Sequence, residues 1–238
     1  MKNIVIAIDG YSACGKSSTA KVVARILNYN YIDTGAMYRA ITYYFIEHYI
    51  NLSNPKQVQK ALEQIHIDFV FNPKVGASET YLNGLNVEKE IRSMEVSNLV
   101  SEVSAIADVR NAMVPQQRKM GKKKGIVMDG RDIGTTVFPD AELKIFMKAD
   151  FQTRAERRQK ELLEANQLVD LSDIMENLKK RDEIDTTRKE SPLKKAEDAL
   201  EIDTTHLTFE EQVEEILYEA AGKMIDEQKF GEQKATIQ

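Results

Sequence analysis

The sequence holds one cysteine, Cys14, in 238 residues, so neither an internal disulfide framework nor a zinc site built from thiolates can form. Its three histidines, His48, His66 and His206, stand far apart. They lack ligand-like spacing, which leaves them core or surface roles rather than a metal site. No run of about 18 apolar residues occurs, so no membrane-crossing helix is expected. The chain passes from one lysine straight into an apolar strand, without the plan of a secretory leader, and the cytoplasm is the expected location. An excess of basic charge is also missing: 33 Lys and Arg stand against 38 Asp and Glu, a net charge of −5. That balance disfavours a protein that coats nucleic acid or an anionic membrane, though a local basic pocket can still hold a small anion. The basic run at 118–124 (RKMGKKK) reads as a solvated helix end before Gly125 rather than a nucleic-acid patch.

With 42% hydrophobic and 30% charged residues, the chain can bury a core as one large domain or as a domain carrying insertions. Residues 3–8 (NIVIAI) form a continuous apolar, β-branched run, the pattern of a parallel strand covered on both faces. Residues 16–27 follow with Ala20, Val23, Ala24 and Leu27 at helical spacing. Short apolar runs recur at 125–128, 143–147 and 199–202, separated by helix-like or turn segments, which points to an α/β fold with a mostly parallel sheet. Residues 65–87 differ. IDFVF, a turn region with Pro73 and Gly76, then ETYLNG predict a small antiparallel insertion. Residues 151–189 are densely charged and helical, with few large apolar side chains after Ile174; such a segment is expected to bury little and is a candidate mobile element. The tail from 229 to 238 is polar and is expected to fray.

The strongest local signal is GYSACGKS at 10–17, a full match to G-x-x-x-x-G-K-[ST] between a strand and a helix. A loop that wraps a polyphosphate must turn its backbone N–H groups inward, which glycine permits at Gly10 and Gly15. The helix N-terminus adds unpaired donors. Lys16 can reach the β- and γ-phosphates, and the Ser17 hydroxyl can ligate magnesium. Gly10, Tyr11, Ser12, Ala13, Cys14, Gly15, Lys16, Ser17 and Ser18 are thus the candidate ATP-binding residues, with Cys14 a small residue in a tight loop rather than a redox centre.

Three classes use such a loop: a kinase for a small acceptor, a guanine-nucleotide switch, and an ATP-driven machine. An N-K-x-D base-reading motif is absent, against a switch. The strand GIVMDGRD ends in Asp129, Arg131 and Asp132, not in the acidic pair of a motor. Two further arginine-bearing segments suit a second anion, as a small-acceptor kinase requires.

The segments GYSACGKS at 10–17, DTGAMYRA at 33–40, EIRSMEVS at 90–97, GIVMDGRDIGTTVFPDAELKIFM at 125–147, AERR at 155–158 and RDEIDTTRKESPL at 181–193 together resemble the bacterial cytidylate kinases, within the nucleoside-monophosphate kinase group. The resemblance implies an α/β P-loop kinase fold: a single domain with a central five-stranded parallel sheet, an acceptor-side insertion at about 65–92 and a helical lid at about 151–187. It implies transfer of a phosphoryl group from ATP to CMP or dCMP with Mg2+, by a monomer that needs no nucleic-acid or membrane partner. Carried over by residue, Arg39, Arg131 and Arg188 would hold the CMP phosphate, since guanidinium forks bind phosphate oxygens in pairs. Thr34, Arg110 and Asp132 would read the cytosine edge; Ser101, Arg181 and Asp185 would meet the ribose, and Tyr38 would pack nearby. Lys16, Arg131, Arg157, Arg158 and Arg188 are the candidate catalytic residues.

Each of these has a plainer reading on position alone. Arg39 could be a solvated helix residue, Arg131 and Asp132 a local ion pair. Arg181, Asp185 and Arg188 are spaced to share one helix face, as an exposed ion-pair ladder would be. Arg154, Arg157 and Arg158 also fall on one face, as lid residues closing on the phosphoryl group or as a solvated surface. Tyr11 stands where the family usually has proline, Cys14 where alanine or glycine is common, and Thr34 where some members have serine. The methyl of Thr34 bears on cytosine selectivity. A kinase of the same fold for UMP, AMP or a small metabolite is the alternative, followed by a non-catalytic nucleotide-binding regulator.

Overall fold

The computed structural model describes residues 1–74 and 77–225. Gly76, within the expected turn, and the tail at 229–238 lie outside the described residues. The chain folds as two compact units: Met1–Ile32, Met120–Asp150 and Lys194–Gln238 in one, Asp33–Lys119 and Phe151–Leu193 in the other.

The first unit is built on a five-stranded parallel sheet. Its strands are β1 (Val5–Gly10), β2 (Asn30–Asp33), β6 (Ile126–Gly130), β7 (Leu143–Lys148) and β8 (Leu200–Asp203), in the order β2-β6-β1-β7-β8. The central strand β1 pairs in parallel with β6, Ile8 opposite Asp129, and with β7, Ile8 opposite Ile145. Every residue of β1 and β6 is buried, because both sheet faces are covered. This explains why the strands read as unbroken apolar runs rather than alternating ones. Helices α1 (Lys16–Leu27) and α8 (Phe209–Met224) place Ala20, Val23, Ala24, Val213, Ile216 and Ala220 against Ile4, Ile6, Ile8, Val127 and Ile202. Each isoleucine so buried contributes roughly 1.5–3 kcal/mol. A capping box starts α8, with Thr208 and Glu211 satisfying each other's backbone N–H groups.

The second unit contains α2 (Thr34–Glu47), α3 (Pro55–Leu62), α4 (Met94–Ala105), most of α5 (Ala107–Met120), α6 (Phe151–Glu164) and α7 (Leu171–Thr187). The expected insertion is a three-stranded antiparallel sheet of β3 (Ile67–Asn72), β4 (Ala77–Leu82) and β5 (Leu85–Asn86), with Ile67 opposite Leu82. Within this unit α4 packs on α2 and α7, and α7 on α6.

Two local readings are corrected. The segment at 151–189 buries more than its charge suggested: Arg154, Ala155, Leu162, Ile174, Asn177, Leu178 and Asp185 are all inside. Arg188 does not extend the helical face of Arg181 and Asp185. It is the residue after α7, in extended geometry at φ −57° and ψ 145°. Thr186 and Thr187 turn their hydroxyls back onto the carbonyls of Asp182 and Glu183, competing with continued helix, and Pro192 follows shortly after.

Candidate active site

In the first unit, the phosphate loop leaves β1 at Gly10, where φ is 148° and a Cβ would stand 1.9 Å from the Met147 carbonyl oxygen. Only glycine fits there. Ala13 (φ 59°) and Gly15 (φ 95°) are left-handed, and such turns direct successive N–H groups into one concavity. The props of this loop are side chains that the sequence reading missed. Thr204 donates to the Cys14 carbonyl at 2.9 Å, and Thr19 donates to Gln212 at 3.2 Å. The Cys14 thiol is buried and donates to the carbonyls of Tyr11 and Met147, a packing role as expected.

Lys16 is 5% exposed and donates to the Tyr11 carbonyl. Burial pushes its ammonium below the usual lysine range, and Arg131 adds to that fall, while Cys14 and Asp129 oppose it. Ser17 donates to Asp129 at 2.8 Å, and Tyr31 donates to the other oxygen of the same carboxylate, also at 2.8 Å. The sequence reading placed Asp129 at the end of its strand but gave it no site role, although a carboxylate closing the apolar run IVM was the available signal. Arg131 and Asp132 follow directly on β6; Asp132 is buried and leads into a π-helical turn, Ile133–Val137.

In the second unit, Thr34 is buried at the start of α2. Asp33 caps that helix by accepting from the Ala36 N–H at 2.8 Å, and it also holds Arg39 at 3.0 Å. Burial alone would raise the Asp33 carboxyl, but Arg39, and beyond it Arg92, hold it below the ordinary carboxylate value. The Nε of Arg39 is buried without a partner among the described residues, a donor available to an anion.

Ser104, which the sequence reading also missed, gathers several of the other predicted residues. Its hydroxyl donates to the Ser101 carbonyl at 3.0 Å and accepts from Arg188 at 3.2 Å, while its own carbonyl accepts from Arg110 at 3.3 Å. Arg188 also bonds the Ser191 carbonyl twice, at 2.9 and 2.7 Å, and lies 3.9 Å from Asp185. The Arg110 guanidinium lies 5.4 Å from the centre of the Tyr38 ring, a cation–π arrangement. Arg181 sits slightly apart and donates to Ser97 at 3.2 Å.

The three arginines of α6 divide. Arg154 is buried and bound by both nitrogens to Asp182 of α7, at 3.2 and 2.7 Å, so it joins the two helices. Arg158 pairs with Glu161 at 3.2 Å. Burial lowers its basicity, Glu161 opposes that, and Arg39 and Arg92 lower it further, which puts three guanidiniums of this unit in one electrostatic neighbourhood. Arg157 is half-buried.

Comparison with known proteins adds a decisive observation: the family model described as cytidylate kinase matches residues 6–221. The chain belongs to the cytidylate kinase family. It is 66% identical over 226 residues to the cytidylate kinase of Cytophaga hutchinsonii, covering 95% of this chain and 97% of that one. It is 56% identical over 220 residues to that of Flavobacterium psychrophilum, covering 91% and 97%. A cytidylate kinase of Bacteroides fragilis is 55% identical over 222 residues, covering 92% and 97%. Among the described residues, no group of three potential metal-binding side chains occurs and no helix is long and apolar enough to cross a membrane.

Proposed function

We propose that this cytidylate kinase family member transfers the γ-phosphoryl group of ATP to CMP and dCMP, giving ADP and CDP or dCDP. What carries the proposal is the buried Arg110, Asp185 and Arg188 about Ser104, in a chain whose phosphate loop is complete. The chemistry of this cluster matches that of a nucleoside monophosphate: guanidinium forks suit its phosphate and base oxygens, and a carboxylate suits its ribose hydroxyls.

Phosphoryl transfer asks for position and charge neutralisation more than for a nucleophile. The backbone N–H groups of Gly10 through Ser18 would hold the ATP phosphates, and Lys16 the β–γ bridge. The Ser17 hydroxyl and Asp129 carboxylate are hard oxygen donors that fit Mg2+, which when bound offsets polyphosphate charge. Arg39, Arg131 and Arg188 would hold the acceptor phosphate. Thr34, Arg110 and Asp132 would read cytosine, Asp132 accepting from the exocyclic amine that uracil lacks. Ser101, Arg181 and Asp185 would meet the ribose. Helices α6 and α7 form the proposed lid and the β3–β5 sheet the acceptor-side insertion, with Arg157 and Arg158 available to the transferring group and to water exclusion. The protein would work as a cytoplasmic monomer, without nucleic-acid or membrane partners.

The test is ADP release from ATP and Mg2+ with CMP, dCMP, UMP, AMP, GMP or no acceptor. Turnover is expected with CMP and dCMP and little else. Equal turnover without acceptor, or preference for a purine monophosphate, would overturn the assignment.

A further inference from the structure

None of the roles above uses Asp9, the residue before Gly10. Its side chain is buried, and each carboxylate oxygen accepts one backbone N–H: Oδ1 from Ile133 and Oδ2 from Gly134, both at 2.7 Å. These donors open the π-helical turn Ile133–Val137, immediately after Arg131 and Asp132. Helical turns leave their first N–H groups unpaired. Here Thr136 and Val137 donate to the Asp132 carbonyl, and the first two N–H groups go to Asp9. π-turns are rare and tend to mark functional positions.

Behind the turn stands Lys144 of β7. A Cβ on Gly134 would lie 3.2 Å from Lys144 Cδ and 3.4 Å from Asp9 Oδ2, so the glycine sits between them. Lys144 is itself anchored to Asp198 at 2.9 Å and to the Pro139 carbonyl.

We propose that Asp9 is a positioning residue for acceptor binding: its carboxylate fixes the turn that follows Arg131 and Asp132 to the strand end from which the phosphate loop departs. The proposal rests on the assignment of Arg131 and Asp132 to CMP. Both hydrogen bonds require both oxygens as acceptors, which only the ionised carboxylate supplies; a protonated carboxyl or a carboxamide aims a donor at one of the two N–H groups. The charged groups facing Asp9 are Asp132 beside the turn, Lys16 from α1 and Lys144 from β7. Burial raises the Asp9 carboxyl to about 7 and Asp132 adds to the rise, while the two N–H groups and Lys16 oppose it. The clamp therefore weakens as pH falls below neutrality.

The experiment compares wild type with Asp9→Asn in steady-state kinetics across the neutral range. KM for CMP is expected to rise about tenfold, the cost of a lost hydrogen bond to a charged group, with KM for ATP within about threefold of wild type. The limb near pH 7 in kcat/KM for CMP should vanish in the variant; ionisation of CMP itself is common to both proteins. Unchanged KM for CMP, or equal losses toward CMP and ATP, overturns the proposal. A second measurement needs neither a variant nor turnover. The Ile133 and Gly134 amide resonances of the 15N-labelled wild-type protein should move with a shared midpoint near pH 7, and the absence of any shift overturns the clamp. Wild type that turns over no CMP, with the amide midpoint in place, would sink the functional assignment and not the clamp.

Discussion

Lys16 shares its buried site with the Cys14 sulfur, 3.6 Å from Nζ, and with the Tyr11 carbonyl. Burial of that ammonium is a cost to the fold, which Asp129 only partly offsets. Lys16→Ala should therefore lower kcat by roughly 10²–10³, the range for deleting one transition-state donor, while leaving the melting temperature equal or higher. An ADP-release assay and a thermal melt decide it, and a wild-type kcat would remove Lys16 from the mechanism. At this scale the loop itself was legible, because its spacing is imposed by chemistry on consecutive residues. Its supports were not. Thr204 reaches Cys14 across 190 positions and Gln212 reaches Thr19 across 193, and no local pattern marks a threonine or glutamine as such a prop. Ser104 escaped notice for the same reason: its importance lies in what Arg110 and Arg188 do around it.

At the scale of elements, the pair Arg154–Asp182 and the residue Arg158 separate structure from chemistry on one helix. Arg154→Ala leaves the carboxylate of Asp182 on α7 without its partner, at a cost of about 3 kcal/mol and a fall in melting temperature of roughly 6–12 °C. Arg158→Ala should leave the melt nearly unchanged and lower kcat by about tenfold or more if it serves the lid. Unaltered kcat in both Arg157→Ala and Arg158→Ala would sink that role. The helical spacing of Arg154, Arg157 and Arg158 was plain in the sequence; which of them is buried depends on α7, and was not. Strand β1 was readable because all its residues are apolar or lead into the loop. Strand β2, only NYID with Asn30 exposed, was not recognised from its residues, since four positions at a sheet edge carry too little pattern. Arg188 was misplaced on a helix face because spacing alone does not register two threonines and a proline ending the helix.

Across the whole molecule, acid and neutral pH act on different carboxyls. Asp9, raised to about 7 from an ordinary 3.8, binds its proton more tightly in the folded than in the unfolded chain. Its contribution is complete below its unfolded value and is lost as pH rises through about 7. Asp33, Glu88 and Glu142 are held below their ordinary values, so their contributions exist above those values and disappear as pH falls past them. The melting temperature should peak near about pH 5, decline toward pH 8, and drop steeply under pH 4; Asp9→Asn should flatten the decline. Calorimetry over that range tests it, and a melt that rises steadily from pH 5 to 8 would contradict it.

The Thr204 and Gln212 props also bear on the order in which the molecule is made. The loop at 10–17 emerges from the ribosome early, yet Thr204, which holds it at Cys14, is synthesised 190 residues later. Gln212, which bonds Thr19 in the first turn of α1 just beyond the loop, comes 193 residues after Thr19. Pairings of such separation form slowly because a long loop must close first. The ATP-binding motif is thus among the first parts of the chain to be written and among the last to take its shape, so a nascent chain carries the complete motif for most of its synthesis without the supports that hold it in place.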